Sequence, residues 1–246
     1  MKLSVLIPAR NEEKSIRQTV VAIAEELQKA SIVHEILVVN DNSSDQTEVV
    51  LKSLGSDFPT VRYINSENPP GYGFAVRQGL KHYEGDAVCI VMGDGSDHPA
   101  DIRKYYEKLE EGYECVFGSR FIKGSWLVDY PLHKLFLNRL ANYFIKFLFR
   151  LPYNDVTNAF KCYRRQVIEA TEPLLSNHFN LTVELPLKAI VRGYRYAVVP
   201  IGWTNRQQGI SKLKIKEMGS RYLFIVLSLF LEKTLSRGDY RRKDKG

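Results

Sequence analysis

The sequence predicts an α/β fold in which a mostly parallel central sheet has helices on both faces. Through the first 120 residues, short apolar runs typical of buried strands alternate with segments of helical periodicity. This alternation is the pattern of parallel strands joined by crossover helices. After Arg120 the chain contains longer apolar segments, which are typical of buried or interfacial helices. At 246 residues, one large domain or a domain with an appendage is expected.

The first half of the chain contains five predicted strands, each followed by polar residues. Pro8 ends the first strand, and the next segment has apolar residues at helical spacing. Asn11 is predicted to cap that helix, and Glu12 suits its positive N-terminal end. The strands are predicted at residues 3–8, 35–40, 61–64, 86–90 and 114–118, with further helices from about 46, at 74–83 and at 100–111.

The second half begins with a predicted helix at residues 135–149 that is apolar around most of its circumference. Its polar stripe consists of Asn138, Asn142 and Lys146. A ten-residue apolar run at 222–231 is too short to span a bilayer but suits an interfacial helix, and basic residues follow it. A short strand is predicted at 160–163, a helix at 180–191 and a late strand at 196–201.

Charge and cysteine content restrict the function. The net charge of +7 favours anionic partners such as phosphates or an acidic membrane surface. The three cysteines are widely spaced and form no CxxC pair, so neither a zinc site nor a disulfide framework is expected. We expect neither a signal peptide nor a membrane-spanning segment, because charges interrupt every apolar run.

Acidic residues follow three of the predicted strands, where the carboxyl ends of parallel strands meet at one edge of the sheet. Glu12 follows the first strand, Asp41 the second, and Asp94 with Asp97 the fourth. Two nearby carboxylates repel each other unless a cation or strong donors intervene. A divalent metal that holds a diphosphate would remove this repulsion. The alternative at Asp94 and Asp97 is a solvated turn that caps the next helix.

Several segments resemble those of family 2 glycosyltransferases, which have the GT-A fold, and most closely the dolichol-phosphate mannose synthase-like branch. The resemblance runs from residues 6–12 to residues 206–212, nearly the whole chain. It implies a Rossmann-like catalytic domain at 1–210 and a basic, amphipathic, membrane-associating segment at 211–246. The other matching segments are 39–45, 71–75, Gly118-Ser119-Arg120-Phe121 and 155–160, the last standing where the family has a D-x-T-S-G-F-like sequence.

The resemblance implies an inverting transfer of a sugar from a GDP- or UDP-sugar to a polyprenyl phosphate. It implies a catalytic set of Asp94, Asp97, Arg120 and Arg206, of which the two aspartates bind Mg²⁺ or Mn²⁺. Because a phosphate monoester is already an anionic nucleophile, a dedicated general base is less necessary. The resemblance further implies nucleotide contacts at Pro8, Arg10, Asn11, Glu12, Asp41 and Lys212. It also implies acceptor-phosphate contacts at Arg120, Lys134 and Asn138.

The chain departs from the usual pattern of this branch in two places. Gly93 and Gly95 stand where the branch usually has two aspartates, so Asp94 and Asp97 are the available ligands in shifted positions. Lys134 stands where the branch often has a phosphate-binding arginine. A lysine keeps the positive charge but loses the bidentate fork of a guanidinium group.

The expected location is cytoplasmic, at the periphery of the inner face of a membrane, and an oligomer is compatible with the sequence. One alternative is a family 2 enzyme with a saccharide, a protein or another lipid hydroxyl as acceptor, which would need Asp97 or Glu184 as a base. A second alternative is a non-catalytic nucleotide-sugar binder. Nucleic acid is disfavoured, because its phosphates would meet the acidic edge of the sheet.

Overall fold

The computed structural model describes residues 1–205 and 215–242. The strands are β1 Leu3–Ala9, β2 His34–Asn40, β3 Val61–Asn65, β4 Ala87–Ile90, β5 Cys115–Ser119, β6 Trp126–Val128, β7 Lys161–Arg164, β8 Tyr196–Pro200 and β9 Gly202–Thr204. The helices are α1 Ile16–Lys29, α2 Thr47–Asp57, α3 Tyr72–Leu80, α4 Ala100–Glu110, α5 Leu132–Phe149, α6 Arg165–Thr171, α7 Leu181–Val191 and α8 Ile215–Leu235.

Seven strands form the central sheet in the order β3-β2-β1-β4-β7-β5-β8. Strand β7 runs antiparallel to β4 and β5, and the other neighbouring strands are parallel. This confirms the predicted α/β fold with a mostly parallel sheet. Strands β6 and β9 pair in a small second sheet, in which Trp126 lies opposite Gly202.

The sheet is buried on both faces, which explains the continuous apolar runs of its strands. All seven residues of β1 are buried; its Leu3, Val5 and Ile7 pack on the side of α1, α2 and α4. Leu6 of the same strand packs on the opposite side, with residues of α3, α5, α7 and α8. Neighbouring side chains of a strand therefore supply two separate cores.

The reversed direction of β7 shapes the functional edge of the sheet. Ile90, at the carboxyl end of β4, pairs with Lys161, the first residue of β7. Because β7 runs against its neighbours, the loop at 155–160 that precedes it lies at the carboxyl edge of the parallel strands. The sequence pattern predicts strand β7 but not its direction.

Several local predictions were wrong or incomplete. Asn11 does not cap α1, which follows Ser15; instead its Oδ1 accepts a hydrogen bond from the N–H of Ser44 at 2.8 Å. Helix α5 begins three residues earlier than predicted, and α8 extends well beyond the apolar run on both sides. That run marks only part of the helix, since polar flanks continue it. Elements β6, α6 and β9 were not predicted.

Helix α8 packs against α7, and its Ile225, Val226 and Leu229 belong to the main apolar core. The boundary between a domain at 1–210 and a segment at 211–246 stays a prediction.

Candidate active site

A cleft of about 660 Å³ lies at the carboxyl edge of the central sheet. It is bordered by the ends of β1, β2 and β4, by the 155–160 loop, and by the early turns of α5 and α8. Most of the predicted site residues in the described part of the chain line it. Its charged lining residues are Arg10, Glu12, Asp41, Asp94, Asp97, Arg120, Lys134 and Arg221.

Asp41 anchors one end of this cleft and is only 4% exposed. The N–H of Gly71 donates to both of its carboxylate oxygens, at 3.0 and 3.2 Å. Its own N–H donates to the carbonyl of Ala9 at 2.8 Å. Beside it, the ring of Tyr72 stacks on Phe179 with centroids 4.6 Å apart. A carboxylate fixed next to an aromatic pair can accept hydrogen bonds from a base or a ribose.

The turn at Gly71 and Gly73 presses against the loop before α7. A Cβ at Gly73 would lie 2.4 Å from the carbonyl oxygen of Ser176, and a Cβ at Gly71 would lie 2.6 Å from that of Asn177. The N–H of Phe74 donates to the Asn177 carbonyl at 3.2 Å. We call this backbone contact between 71–74 and 176–178 the glycine clamp. Glycine is required at both positions because two segments of the backbone approach each other too closely for a side chain.

At the end of β1 and just after it, some side chains line the cleft and one contacts the neighbouring loop. Pro8, Arg10 and Glu12 line the cleft. Asn11 does not; its amide oxygen and backbone N–H contact Ser44 and Ser43 of the loop after β2. In this structure Asn11 supports that loop, and its predicted nucleotide contact stays a prediction.

Asp94 and Asp97 both line the cleft in the loop after β4. Asp94 accepts the N–H of Ser96 at 3.1 Å, and Asp97 accepts the N–H of Met92 at 2.9 Å. Burial raises the pKa of Asp97 to about 7, although the Met92 N–H opposes this, and the nearby Asp94 carboxylate adds to the increase. A cation between the two carboxylates would relieve this unfavourable charge.

The described residues include no group of three or more His, Cys, Asp and Glu side chains arranged to hold a metal. Two carboxylates nonetheless fit Mg²⁺ or Mn²⁺, because such ions commonly bind one or two carboxylates and complete their shell with substrate phosphates and water. The positions of Asp94 and Asp97 are consistent with the predicted metal site, which stays a prediction.

Arg120 is buried in the wall of the cleft and forms a bidentate pair with Asp155. Its Nε and one Nη each lie 2.8 Å from an Asp155 oxygen, and its backbone N–H also donates to that carboxylate. Burial lowers the pKa of Arg120, but the Asp155 carboxylate outweighs burial and raises it overall. Arg120 is therefore a fixed positive charge with one edge of its fork already occupied.

Lys134 and Asn138 lie one turn apart near the start of α5, and both line the cleft. The amide of Asn138 donates to the hydroxyl of Thr157 at 2.8 Å. Asn142, one turn further on, is 1% exposed and donates to the same hydroxyl at 2.8 Å. The polar stripe of α5 thus faces the protein and holds the 155–160 loop.

Lys161, at the start of β7, is fully buried below that loop. Its ammonium group donates to the carbonyls of Val156 at 3.0 Å and Thr182 at 3.1 Å, and also to the carbonyl of Asn158. Burial lowers the pKa of Lys161 to about 7. Three carbonyl acceptors match the three donors of a charged ammonium group, so this side chain fixes the loop beside Arg120.

Glu184 does not line the cleft. It is buried, accepts the N–H groups of Leu175 and Ser176 at 2.8 and 2.7 Å, and pairs with Lys188 at 2.9 Å. This ion pair is buried, with Glu184 0% and Lys188 5% exposed. Glu184 positions the loop that forms the glycine clamp, so it is not available as a base.

Sequence reasoning missed several residues of the cleft wall, among them His178, Arg221 and Tyr222. His178 follows the loop fixed by Glu184, and no local pattern marks it. Arg221 stands at the start of the apolar run on α8, where basic residues were assigned to the tail as a group. Predicted residues Arg206 and Lys212 lie outside the described residues.

The two helices that border the cleft expose apolar side chains along their outer surface. On α5, Phe136 is 68% and Phe147 83% exposed; on α8, Phe224 is 61% and Leu235 71% exposed. Within residues 1–205 and 215–242, no helix is both long and apolar enough to cross a membrane. These two helices nevertheless carry many exposed large apolar side chains, whereas an ordinary protein surface exposes such side chains singly.

Comparison with known proteins gives a consistent result. The family model described as glycosyl transferase family 2 matches residues 4–171. The chain is 29% identical over 215 residues to polyprenol monophosphomannose synthase of Mycolicibacterium smegmatis, covering 85% of this chain and 80% of that protein. It is 30% identical over 220 residues to dolichol-phosphate mannosyltransferase of Pyrococcus furiosus, covering 88% of this chain but only 60% of that longer protein.

Solved structures support the fold. A glucosyl-3-phosphoglycerate synthase from Mycobacterium tuberculosis, in complex with Mn²⁺, UDP and phosphoglyceric acid, superposes with a TM-score of 0.70 at 20% identity. The match covers 94% of this chain and 78% of that one. A second mycobacterial protein gives a TM-score of 0.71 at 19% identity, covering 94% and 74% of the two chains.

Proposed function

Because this chain belongs to glycosyl transferase family 2, we propose that it transfers a sugar from a nucleotide-diphosphate sugar to a polyprenyl phosphate at a membrane surface. The two relatives described above are named for the same reaction type, and both names specify mannose. GDP-mannose and UDP-mannose are therefore the first donors to test. The proposed location is the cytoplasmic face, with the protein bound peripherally.

The observation that supports this proposal most directly is the presence of both carboxylates and cations in one cleft. Its acidic residues include Asp41 and the Asp94–Asp97 pair, which would contact the nucleotide and the metal-bound diphosphate. Its cations include Arg120 directly after β5, Lys134 at the start of α5 and Arg221 in the early part of α8. An acceptor with a phosphate head and an apolar chain matches a cationic wall that borders an exposed apolar surface.

In this reaction the protein has to position the two substrates and neutralise charge on the departing diphosphate. The phosphate monoester attacks the anomeric carbon with inversion, the new bond forms to its oxygen, and the nucleoside diphosphate departs. Arg120 and Lys134 would hold the acceptor phosphate, and Asp155 and Lys161 would keep Arg120 and its loop in place. A divalent cation bound by Asp94 and Asp97 would supply neutralisation of charge on the departing diphosphate. We also propose Arg206 and Lys212 at that diphosphate.

A hydroxyl acceptor would require a general base in the cleft. Glu184 is excluded as that base by its burial and its three partners. Asp97 has the near-neutral pKa that a base requires, so it is the one observation that favours a hydroxyl acceptor. A metal bound to Asp97 would lower that pKa and remove this capacity.

The test is a transfer assay with purified protein, labelled nucleotide sugars, and three acceptors: a polyprenyl phosphate, the matching polyprenol and a saccharide. We expect transfer to the lipid phosphate alone, loss of transfer with EDTA, and recovery with Mg²⁺ or Mn²⁺. Transfer to the polyprenol or saccharide would favour the hydroxyl-acceptor enzyme. Donor binding without transfer to any acceptor would favour the non-catalytic binder.

A further inference from the structure

The segment after α8 folds back onto the body of the protein. Arg237 and Gly238 reverse the chain with φ values of 50° and 91°. The N–H of Arg242 then donates to the carbonyl of Arg192 at 2.9 Å, and its guanidinium group pairs with the carboxylate of Glu114. Residues 236–242 therefore have a defined position beside the end of α7.

This fold-back encloses a second pocket of about 200 Å³, which we call the basic pocket. Lys233, Arg237 and Arg241 provide its positive charge. Its acidic lining residue, Glu232, already pairs with Arg192 at 3.1 Å. The pocket also contains the hydroxyl groups of Ser236 and Tyr240, which can donate to an anion.

The positive charges of the basic pocket are close together. Lys233 donates to the carbonyl of Phe149 at 2.6 Å, which places it at the C-terminal end of α5. Partial burial lowers the pKa of Lys233, and the charges of Arg150 and Arg241 lower it further. In the part of the chain that the structure describes, the guanidinium groups of Arg237 and Arg241 donate no hydrogen bond and form no ion pair.

The basic pocket and the cleft lie at opposite ends of the same two helices. Lys134 on α5 and Arg221 on α8 line the cleft near the helix starts, whereas Phe149 and Lys233 meet at the helix ends. Eighteen residues of α5 correspond to about 27 Å. Most of the exposed apolar side chains of both helices lie between these two cationic sites.

We propose that the basic pocket binds the phosphate of an anionic phospholipid headgroup and so fixes the orientation of the cleft relative to the bilayer. Guanidinium groups pair with two phosphate oxygens at once, and the positive charge of the basic pocket favours a headgroup with net negative charge over zwitterionic phosphatidylcholine. The exposed apolar surface of α5 and α8 places the pocket next to lipid rather than next to free solute, which selects a headgroup over inorganic phosphate. Two anchored ends would hold both helices parallel to the membrane plane.

This inference rests on the membrane contact in the proposed function, so the experiment separates the two. The full chain is floated with vesicles of phosphatidylcholine, with or without phosphatidylglycerol. The test variant is R237E/R241E, and the matched control is K29E/K52E, which makes the same charge change on exposed residues of α1 and α2, across the sheet. Melting temperature and transfer to a short, soluble acceptor are measured in parallel.

We expect R237E/R241E to lower binding to phosphatidylglycerol vesicles by about tenfold or more, since each cation near an anionic surface changes binding about fivefold. Binding to pure phosphatidylcholine, melting temperature and transfer to the soluble acceptor should change little. The control variant should bind nearly as the wild type does, and millimolar inorganic phosphate should not release the wild type.

Three results would overturn the inference. Unchanged flotation of R237E/R241E would show that the basic pocket does not bind lipid. If the melting temperature also fell, the two arginines would serve only to stabilise the ends of the helices. An equal loss of vesicle binding in K29E/K52E would show that only the net charge of the protein matters. Release by inorganic phosphate would identify a free anion as the ligand. Failure of the wild type to float with either vesicle would instead reject the membrane contact itself.

Discussion

Arg120 and Lys134 are both cations of the cleft, but they differ in how much the stability of the fold depends on them. Arg120 is 8% exposed and neutralises Asp155, which is completely buried. Removing the guanidinium group would leave that carboxylate unpaired, at a cost of about 3–5 kcal/mol in the free energy of unfolding. Lys134 is half-buried, and among the described residues its ammonium group forms no hydrogen bond or ion pair. It is therefore the cleaner position at which to test acceptor binding.

We expect Lys134→Ala to raise the KM for the polyprenyl phosphate about tenfold or more, because a hydrogen bond to a charged group contributes about 1.5–3 kcal/mol. The KM for the nucleotide sugar and the melting temperature should stay close to those of the wild type. Steady-state kinetics with each substrate varied in turn measures both constants. Lys123→Ala, at an exposed lysine outside the cleft, is the control; a selective loss of donor affinity in Lys134→Ala would place this cation at the diphosphate.

Glu35 is a buried carboxylate on β2, far from any proposed chemistry. It accepts the Ser4 hydroxyl at 2.5 Å, the Glu84 N–H at 2.6 Å and the Arg62 guanidinium at 3.0 Å. Burial raises the pKa of Glu35, but these donors together outweigh burial and lower it below its ordinary value of 4.5. The native state therefore holds this group ionised at pH values where the unfolded chain binds a proton.

Because the pKa is lower in the folded state, Glu35 stabilises the protein fully above pH 4.5, and this contribution disappears as the pH falls through the folded value. We expect Glu35→Gln to lower the free energy of unfolding at neutral pH. The difference from the wild type should shrink in acid. Urea unfolding of both proteins across this range measures it, and a difference that is constant with pH would contradict the assignment.

At the scale of elements, α5 has its polar stripe turned inward and most of its apolar side chains turned outward. Asn142 is buried against Asn138 and Thr157, whereas Phe136 and Phe147 are mostly exposed. Helical periodicity in the sequence shows that such a stripe exists and how wide it is. It does not show which side faces the protein, because Thr157, which accepts a hydrogen bond from Asn142, comes from a loop 15 residues further along the chain.

We expect Phe136→Ser/Phe147→Ser to reduce flotation with lipid vesicles strongly while changing the free energy of unfolding by no more than about 0.5 kcal/mol, as for other exposed positions. Vesicle flotation and chemical denaturation measure the two effects. Val33→Ser/Val49→Ser, at valines that are 67% and 61% exposed on other parts of the surface, is the matched control. Equal flotation of the two variants would show that the outer face of α5 does not contact lipid.

At the scale of the whole molecule, strand and helix alternation predicts the parallel part of the sheet well. The acidic residues Asp41, Asp94 and Asp97 meet at its carboxyl edge, as expected from the ends of parallel strands. The 155–160 loop reaches the same edge only because β7 is reversed between β4 and β5. A four-residue strand has no directional signal in its own sequence, so this half of the cleft depends on pairing that is remote in the chain.

A donor bound across this cleft should stabilise the whole fold. We expect the correct nucleotide sugar with Mn²⁺ to raise the melting temperature, since a ligand at 100 times its Kd adds about 2.7 kcal/mol to the free energy of unfolding. Asp94→Asn and Asp97→Asn should each shift the Mn²⁺ titration to higher concentration. Differential scanning fluorimetry measures these shifts. With Asp57→Asn as the surface control, wild-type titrations in both cleft variants would refute the metal site.

The glycine clamp also limits how this protein can change under selection. At Gly73 an added methyl group would meet three backbone atoms of residues 176–178 within 2.7 Å, and no side-chain rotation relieves such a contact. The two loops can therefore diverge only together, through paired changes that a single mutation does not reach. Other cleft residues are less constrained, so engineering libraries that seek new donor preferences should keep 71–74, Asp94 and Asp97 fixed and diversify the remaining residues of the 92–97 loop.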